Sequence, residues 1–431
     1  MKKITNRAIS VLLLAGLIIL GSLLYVIRYA DNGRDWALAY ARANSGSTGA
    51  LVDRNGLILA AFSATENLFA ADAETRIANY HVTGDYWNRS GTGLLSVCWD
   101  ELQDYSMLTG TSVARQRVVT LNVDAQLNKR AYAVLDGRKG AVLLMNYRTG
   151  ELLCMVSSPS VDPADPEAIP AEGAYINRCL SACFVPGSVF KLVTAAAAIE
   201  NIPDLDSRSF YCEGDYEVAG VDIICSGVHG DQTFEQALAN SCNVAFAQLA
   251  IELGQNTLAT YAKQYGLLDG HSLEGISTAA GSFPQAFAGN PELGWAGIGQ
   301  STDLVCPFSL LRYVAAIAND GLLAEPRLIS DGTGADAQRL VREDTAQALQ
   351  RLMHYNVVAH YGGEDRFPGL TLCAKTGTAE LGDGSSHAWF TGFLLDEEHP
   401  YAFVVLIERG GGGLQAAGSA ANQILQYAIT R

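Results

Sequence analysis

The sequence predicts an α+β fold, in which strands from two separate parts of the chain form one antiparallel sheet covered by helices. Two apolar, strand-like runs at 140–146 and 151–157 flank a turn at Arg148-Thr149-Gly150. A long block follows in which apolar residues recur at helical spacing, at 188–200, 234–249, 258–265 and 307–319. Strand-like runs then return at 370–379, 388–395 and 401–408, before a helical, Ala-rich segment at 416–429.

The composition indicates a globular chain of two or three folded units. It has 431 residues, of which 49% are hydrophobic and 17% are charged. The formal net charge of -16 repels phosphate backbones and removes the electrostatic attraction on which nucleic-acid binding relies. We therefore expect no nucleic-acid partner.

The N-terminal segment contains a candidate membrane anchor. Residues 8–27 carry no charge and, at about 20 residues, are long enough to cross a bilayer as a helix. Lys2, Lys3 and Arg7 precede the run, which predicts a cytoplasmic N-terminus and an extracellular remainder. A cleaved signal peptide is the alternative, but Ala41-Arg42-Ala43 lies too far downstream to be its cleavage site. We expect an uncleaved single-pass anchor.

The rest of the chain is predicted to form two units. Residues 31–117 are rich in turn residues, include a hairpin signal at Asn55-Gly56, and show no catalytic cluster, so this unit is expected to serve in placement. Residues 118–431 form the second unit, which starts with a strand-like run and a helical pattern at 125–135. The anchor and its cytoplasmic tail occupy residues 1–30.

Ser188 and Lys191 are the candidate nucleophile and base. Pro186-Gly187 interrupts the chain and starts a helix, so Ser188 lies in a first turn, where free N–H groups favour a developing negative charge. Lys191, three residues later, shares that helix face. Burial and a second cation, Lys375, are expected to lower the pKa of Lys191 and make it a base.

Two further motifs complete the candidate site. Ser241 and Asn243 interrupt a helical pattern, which predicts that a loop directs both side chains into one cleft. Lys375-Thr376-Gly377-Thr378 lies in a strand whose alternate residues face opposite sides. Such a strand can pair with a peptide backbone, with Gly377 allowing close approach and Lys375 attracting a carboxylate.

The cysteines leave several states open. Cys212 and Cys225 flank a predicted hairpin with its turn at Ala219-Gly220, where they are expected to form a disulfide, remain unpaired in the core, or bind zinc together with His229. A fourth zinc ligand is not in view, so the sequence predicts no metal site. Cys242, inside the second motif, is expected to be a core-packing residue and His229 an ordinary polar one. No cofactor is expected.

The three motifs, in this order, resemble the transpeptidase domain of class B penicillin-binding proteins. The chain has only seven lysines, so a chance Lys-Thr-Gly is expected roughly 0.04 times. The likeness extends over nearly the whole chain, to Val52-Asp53-Arg54-Asn55-Gly56, 151–163, Asn177-Arg178, Gly299-Gln300, Ala318-Asn319-Asp320-Gly321 and His387-Ala388-Trp389-Phe390.

The resemblance implies a fold, a reaction and partners. The fold is the penicillin-recognising serine-transferase domain, with a five-stranded antiparallel sheet between helices, after a short N-terminal pedestal at 31–117. The reaction is acylation of Ser188 by a D-alanyl-D-alanine stem peptide, followed by transfer to an amine of a neighbouring stem, and β-lactams would acylate the same serine. The N–H groups of Ser188 and Thr378 would form the oxyanion hole, while Thr376 and Thr378 would bind the carboxylate.

A partner and several rival functions follow from the same resemblance. No glycosyltransferase module is recognisable, so a polytopic glycosyltransferase of the shape, elongation, division and sporulation family is the expected partner. A D,D-carboxypeptidase or β-lactamase of the same fold is the nearest alternative, although no dedicated deacylating carboxylate is recognisable. A β-lactam sensor should have more membrane spans. An inactive scaffold is disfavoured by the intact motifs.

Overall fold

The computed structural model describes residues 2–44, 49–62, 67–98, 102, 105–106, 111–112, 117–283, 291–330 and 337–431. The strands are β1 (Ala50–Val52), β2 (Ile58–Phe62), β3 (Asn67–Phe69), β4 (Tyr105–Ser106), β5 (Thr111–Ser112), β6 (Val118–Thr120), β7 (Gly140–Asn146), β8 (Leu152–Ser158), β9 (Phe210–Cys212), β10 (Asp215–Val218), β11 (Val221–Ile224), β12 (Gly230–Gln232), β13 (Ser272–Leu273), β14 (Ile276–Ser277), β15 (Leu322–Ala324), β16 (Ala337–Arg339), β17 (Leu372–Glu380), β18 (Ser386–Leu394) and β19 (Tyr401–Ile407).

The helices of the described ranges are α1 (Lys2–Asn44), α2 (Ala73–Thr83), α3 (Leu94–Val97), α4 (Ala125–Leu135), α5 (Lys191–Asn201), α6 (Phe234–Ala239), α7 (Asn243–Leu253), α8 (Gln255–Gln264), α9 (Pro291–Gly297), α10 (Pro307–Ala318), α11 (Glu343–His360), α12 (Gly363–Arg366) and α13 (Ser419–Ala428). Short 3₁₀ turns lie at Gly187–Phe190 and Leu205–Ser207, and a π-helical turn, Leu414–Gly418, precedes α13.

The central sheet has five antiparallel strands in the order β17-β18-β19-β7-β8. The two early strands and the three late strands therefore meet in one sheet, which confirms the predicted α+β class. Because β17 stands at the edge of the sheet, one side of its backbone is left for another element or a ligand.

Helices cover both faces of this sheet. On one face, apolar side chains of α4 and α13 pack with alternate sheet residues such as Val142, Phe390 and Val405 in a continuous core. On the other face lies α10, which contacts β7, β18 and β19. Every residue of α10 is buried, including its one charged residue, Arg312, which pairs with Glu325.

The local predictions around the sheet also agree with the structure. The Asn55-Gly56 turn joins β1 and β2. Gly56 has φ 84°, a left-handed conformation that glycine adopts without steric cost. The predicted turn at Ala219-Gly220 joins β10 and β11, which pair from Asp215↔Ile224 to Val218↔Val221.

The chain divides into two compact units. One contains residues 1–50, 60–68 and 98–118, and the other contains 51–59, 69–97 and 119–431. The first unit includes an exposed apolar helical stretch, Thr5–Ala30. This stretch has the length and composition of a single membrane span. The predicted boundary at 117/118 remains a prediction.

Candidate active site

Ser188 lies in the 3₁₀ turn that leads into α5, where the backbone leaves no room for a side chain at the preceding residue. Gly187 has φ 56°, and a Cβ atom built on it would lie 2.8 Å from the Thr378 carbonyl oxygen. A Cβ atom on Gly377 would likewise lie 2.8 Å from the Pro186 carbonyl oxygen. The turn is therefore packed tightly against β17. The close approach that Gly377 allows is to the backbone of this turn at Pro186.

Lys191 begins α5 and reaches back to the nucleophile. Its Nζ donates to Ser188 Oγ at 3.1 Å, which confirms the contact predicted from their spacing. The same amine donates to the Ser241 carbonyl at 2.5 Å and to Asn243 Oδ1 at 2.7 Å, and lies 3.3 Å from Ser241 Oγ. Four oxygen atoms thus fix the position of one amine.

Ser241 and Asn243 are brought to Lys191 by the break between α6 and α7. The predicted interruption is confirmed, because α6 ends at Ala239 and α7 begins at Asn243. Ser241 has φ 52°, a left-handed conformation that is costly for a residue with a Cβ atom and is held only by its surroundings. Asn243 also donates to the Ile224 carbonyl at 2.7 Å, which ties the motif to the end of β11.

Lys375 approaches the same serine from β17. Its Nζ donates to Ser241 Oγ at 2.9 Å and to the Thr376 carbonyl at 3.0 Å. A continuous hydrogen-bonded chain therefore runs from Lys375 through Ser241 and Lys191 to Ser188. Ser241 is the shared member of this chain.

Burial sets the charge of both amines. Lys191 and Lys375 are each 0% exposed. Desolvation lowers the pKa of Lys191 to about 8. Desolvation also lowers the pKa of Lys375 well below its usual value, and the charge of Lys191 lowers it further. Burial lowers the pKa of Lys191 as predicted. The predicted lowering of that pKa by Lys375 is not found, and the charge of Lys191 instead lowers the pKa of Lys375.

An open cavity of about 610 Å³ lies over these groups. Ser188 is half-buried at its wall, and Thr376 and Thr378 also face the cavity, on the side of β17 opposite Lys375 and Gly377. The alternation predicted for this strand is confirmed by its burial pattern. The full lining is Ser188, Ile224, Cys225, Ser226, Ser241, Asn243, Trp295, Ile298, Gln300, Thr376, Thr378 and Glu380.

Two supporting residues were given no role by the sequence analysis, although Gln300 lies in one of the segments that carry the resemblance. Tyr361 Oη accepts the Thr376 N–H at 3.2 Å and lies 3.2 Å from Thr376 Oγ1. Gln300 donates to the Thr378 carbonyl at 3.4 Å. Tyr361 belongs to no short motif, and only the fold brings it to a strand 15 residues further along the chain.

The possible disulfide is absent. All nine cysteines lie in the described ranges, and none of them forms a disulfide, Cys212 and Cys225 included. The two still come close to each other, and Cys242 and His229 join them: the four ligand atoms lie within 4.8 Å of one another.

Comparisons with known proteins place this site in a family. The penicillin binding protein transpeptidase domain matches residues 140–428, which is more than half of the chain. Peptidoglycan D,D-transpeptidase PbpA of Mycobacterium tuberculosis is 31% identical over 350 residues, covering 69% of this chain and 70% of the relative. The chain belongs to the penicillin-binding transpeptidase family, whose class B members its motifs resemble.

A second relative and a solved structure agree with that placement. Stage V sporulation protein D of Bacillus subtilis is 30% identical over 305 residues, which cover 65% of this chain but only 47% of the relative. The ceftriaxone acyl-enzyme complex of penicillin-binding protein A from M. tuberculosis has a TM-score of 0.78 at 23% identity, covering 91% of this chain and all of the other. The structural likeness shows that the two chains share a fold.

Proposed function

We propose that this protein is a peptidoglycan D,D-transpeptidase that cross-links stem peptides through an acyl-enzyme on Ser188. The observation that carries the proposal is the buried Lys191 amine, 3.1 Å from Ser188 Oγ and with its pKa lowered to about 8. A serine needs a base to become a nucleophile, and an uncharged lysine supplies one without histidine. The PbpA relative is named a peptidoglycan D,D-transpeptidase, which supports transpeptidation as the reaction class.

The first half of the reaction forms the acyl-enzyme. Ser188 Oγ attacks the carbonyl carbon of the penultimate D-alanine while Lys191 takes the hydroxyl proton. The C–N bond to the terminal D-alanine then breaks, and its nitrogen receives a proton through Ser241, which hydrogen-bonds both lysines. The N–H groups of Ser188 and Thr378 are proposed to hold the oxyanion.

The second half transfers the acyl group. An amine of a neighbouring stem attacks the ester carbon and loses a proton to the same relay. The relay returns a proton to Ser188 Oγ as the ester C–O bond breaks. The new amide is the cross-link. Asn243 holds Lys191 at 2.7 Å throughout, so the base returns to its starting geometry.

The edge strand β17 is proposed to bind the donor stem. Its place at the end of the sheet leaves backbone groups for an added peptide strand, and Thr376 and Thr378 present hydroxyls to the cavity. Lys375 is proposed to attract the terminal carboxylate, whose negative charge would raise the pKa of this amine. Gly377, on the other side of the strand, keeps this substrate-binding strand close to the nucleophile turn. β-Lactams would occupy this position and acylate Ser188.

Covalent labelling tests the acylation step. The full chain in detergent, incubated with a fluorescent penicillin, should carry one stable label. Ser188→Ala should abolish the label and Lys191→Ala should slow labelling by about 10²-fold or more, because general-base catalysis contributes at least that much. Ser226→Ala, in the same cavity, and Lys263→Ala, on the surface of α8, serve as matched controls and should label normally. Label on Ser188→Ala equal to that on the parent contradicts the proposal.

The fate of the acyl group separates the rivals. Rapid loss of the penicillin label would indicate a β-lactamase. Incubation with a pentapeptide stem and an amine acceptor should give cross-linked product, whereas release of D-alanine without cross-links would indicate a D,D-carboxypeptidase. An inactive scaffold would give neither product nor label.

The membrane arrangement and the partner are part of the proposal. We infer that residues 8–27 anchor the protein with the N-terminus in the cytoplasm and the catalytic unit outside, because Lys2, Lys3 and Arg7 precede the span. Cross-linking requires newly made glycan strands, so a polytopic glycosyltransferase of the shape, elongation, division and sporulation family is the proposed partner. Co-purification of the full chain with such an enzyme tests this.

A further inference from the structure

Three cysteines and a histidine converge beside the Ser241–Asn243 motif. Cys212 ends β9, Cys225 directly follows β11, His229 directly precedes β12, and Cys242 caps the N-terminus of α7. Their ligand atoms all lie within 4.8 Å of one another, although the residues span 31 positions of the chain. Cys242 is the fourth ligand that the sequence did not reveal.

The distances fit a metal ion and do not fit a disulfide. Cys225 Sγ lies 3.9 Å from Cys242 Sγ and 3.6 Å from His229 Nδ1. A tetrahedral zinc ion with ordinary bond lengths separates two sulfurs by about 3.8 Å and a sulfur from a nitrogen by about 3.6 Å. A disulfide would require the two sulfurs to approach to about 2.05 Å.

The surroundings are those of a buried thiolate cluster. Cys212 and Cys242 are 0% exposed and Cys225 is 9% exposed. Backbone N–H groups point at two of the sulfurs: Asn243 N donates to Cys225 Sγ at 3.2 Å, and Ala245 N to Cys242 Sγ at 3.5 Å. Such donors stabilise the negative charge of metal-bound thiolates and orient them.

We propose that Cys212, Cys225, His229 and Cys242 form a structural zinc site that fixes the Ser241–Asn243 motif. Three soft thiolates and one imidazole are a donor set that selects zinc. All four positions are filled by protein, so the ion has no open position for a water or substrate and acts in structure. The three thiols lose their protons when the ion binds.

The site has a mechanical consequence for catalysis. Cys242 stands between Ser241 and Asn243, and the ion would tie it to β9 and to the β10–β11 hairpin. Through Cys242, the ion would restrict the movement of both neighbouring residues. These are Ser241, whose φ is 52°, and Asn243, which lies 2.7 Å from Lys191. This consequence rests on the proposed function, whereas the presence of zinc does not.

Metal analysis tests the site directly. The full chain, expressed with zinc in the medium and purified in detergent, should contain about one zinc ion per chain. Cys225→Ser and His229→Ala should lose most of it. Cys373→Ser, a buried cysteine outside the cluster, is the matched control and should retain it. A parent without zinc, equal zinc in Cys225→Ser, or a disulfide between cluster cysteines would overturn the proposal.

A conservative variant distinguishes the loss of a metal ligand from misfolding of the chain. His229→Cys supplies a fourth thiolate and should retain zinc, and its cobalt-loaded form should show stronger sulfur-to-metal charge-transfer absorption than the cobalt-loaded parent. An unchanged cobalt spectrum would show that residue 229 is no ligand and would overturn the assignment.

Acylation by fluorescent penicillin gives a separate readout. It should slow by about tenfold or more in His229→Ala and remain near the parent rate in His229→Cys and Cys373→Ser. Loss of zinc without slower acylation would overturn the motif-fixing role while leaving the metal site intact. Zinc binding in a chain that takes up no penicillin at all would instead leave the metal site standing and contradict the proposed function.

Discussion

Lys191 shows how burial of a single residue sets the pH at which the enzyme works. Its amine is fully buried and its pKa is lowered to about 8 by desolvation, so the uncharged fraction grows as the pH rises to that value. The acylation rate should therefore rise by about tenfold per pH unit below 7 and level off above 8.

Stopped-flow labelling with a fluorescent penicillin between pH 6 and 9 measures this profile. The direction follows from the sign of the effect: protonation at low pH removes the base. A rate that falls as the pH rises from 6 to 8 would contradict the assignment of Lys191 as the base.

The Ser188 turn depends on the absence of a side chain at Gly187. Its φ is 56° and a Cβ atom would lie 2.8 Å from a backbone oxygen of β17. Gly187→Ala should lower the free energy of unfolding by about 1–3 kcal/mol and slow acylation, because the strained turn must shift.

Gly382→Ala is the matched control for this change. Gly382 lies in the turn between β17 and β18, has nothing within 4 Å of its built Cβ atom and does not have a positive φ. The melting temperature and the rate of penicillin labelling of Gly382→Ala should be close to those of the parent. Equal losses in the two variants would show that crowding at Gly187 is unimportant.

At the scale of elements, β17 is held in place by the residue that follows α11. Tyr361 Oη accepts the Thr376 N–H at 3.2 Å, and Tyr361 is only 6% exposed. Tyr361→Phe removes this acceptor and should lower the free energy of unfolding by about 1 kcal/mol. Acylation should also slow, since the substrate edge loses a support.

Denaturant unfolding and labelling kinetics check the Tyr361 prediction against Tyr355→Phe. Tyr355 is half-buried within α11, and its hydroxyl has no hydrogen bond among the described residues. A stability loss in Tyr355→Phe as large as that in Tyr361→Phe would mean that the Thr376 contact contributes nothing.

Local geometry predicted the contact between residues close in the chain, whereas the distances between distant segments of the site came from the folded structure. Ser188 and Lys191 are three residues apart, so helical geometry alone predicted the 3.1 Å contact. Ser241 and Lys375 are separated by 134 positions, and only the folded sheet brings the amine to the hydroxyl. Cys242 was expected only to pack in the core, because its cysteine and histidine neighbours come from segments whose packing no local pattern specifies.

At the scale of the whole molecule, the proposed orientation of the apolar stretch Thr5–Ala30 decides which compartment the rest of the chain occupies. It is long and apolar enough to cross a bilayer once. With the cationic residues before the span, a tag at Arg431 should be digested by protease added outside intact spheroplasts, while a tag before Lys2 should be protected.

Immunoblots against the two tags measure that topology, with detergent-permeabilised cells as the control in which both tags are lost. Protection of the tag at Arg431 in intact cells would reverse the proposed orientation. It would also separate the catalytic unit from the cell wall.

The crowding around the nucleophile turn limits the routes by which drug resistance can evolve. Cβ atoms built on Gly187, Gly299 and Gly377 would lie 2.8, 2.0 and 2.8 Å from backbone oxygens. A substitution at any of these positions would therefore displace the backbone around the nucleophile. Ser226, Trp295 and Glu380 also line the cavity, and their side chains are exposed or half-buried. Under antibiotic selection, adaptive substitutions should therefore accumulate at such positions, where the fit of a drug can change while the nucleophile remains in place.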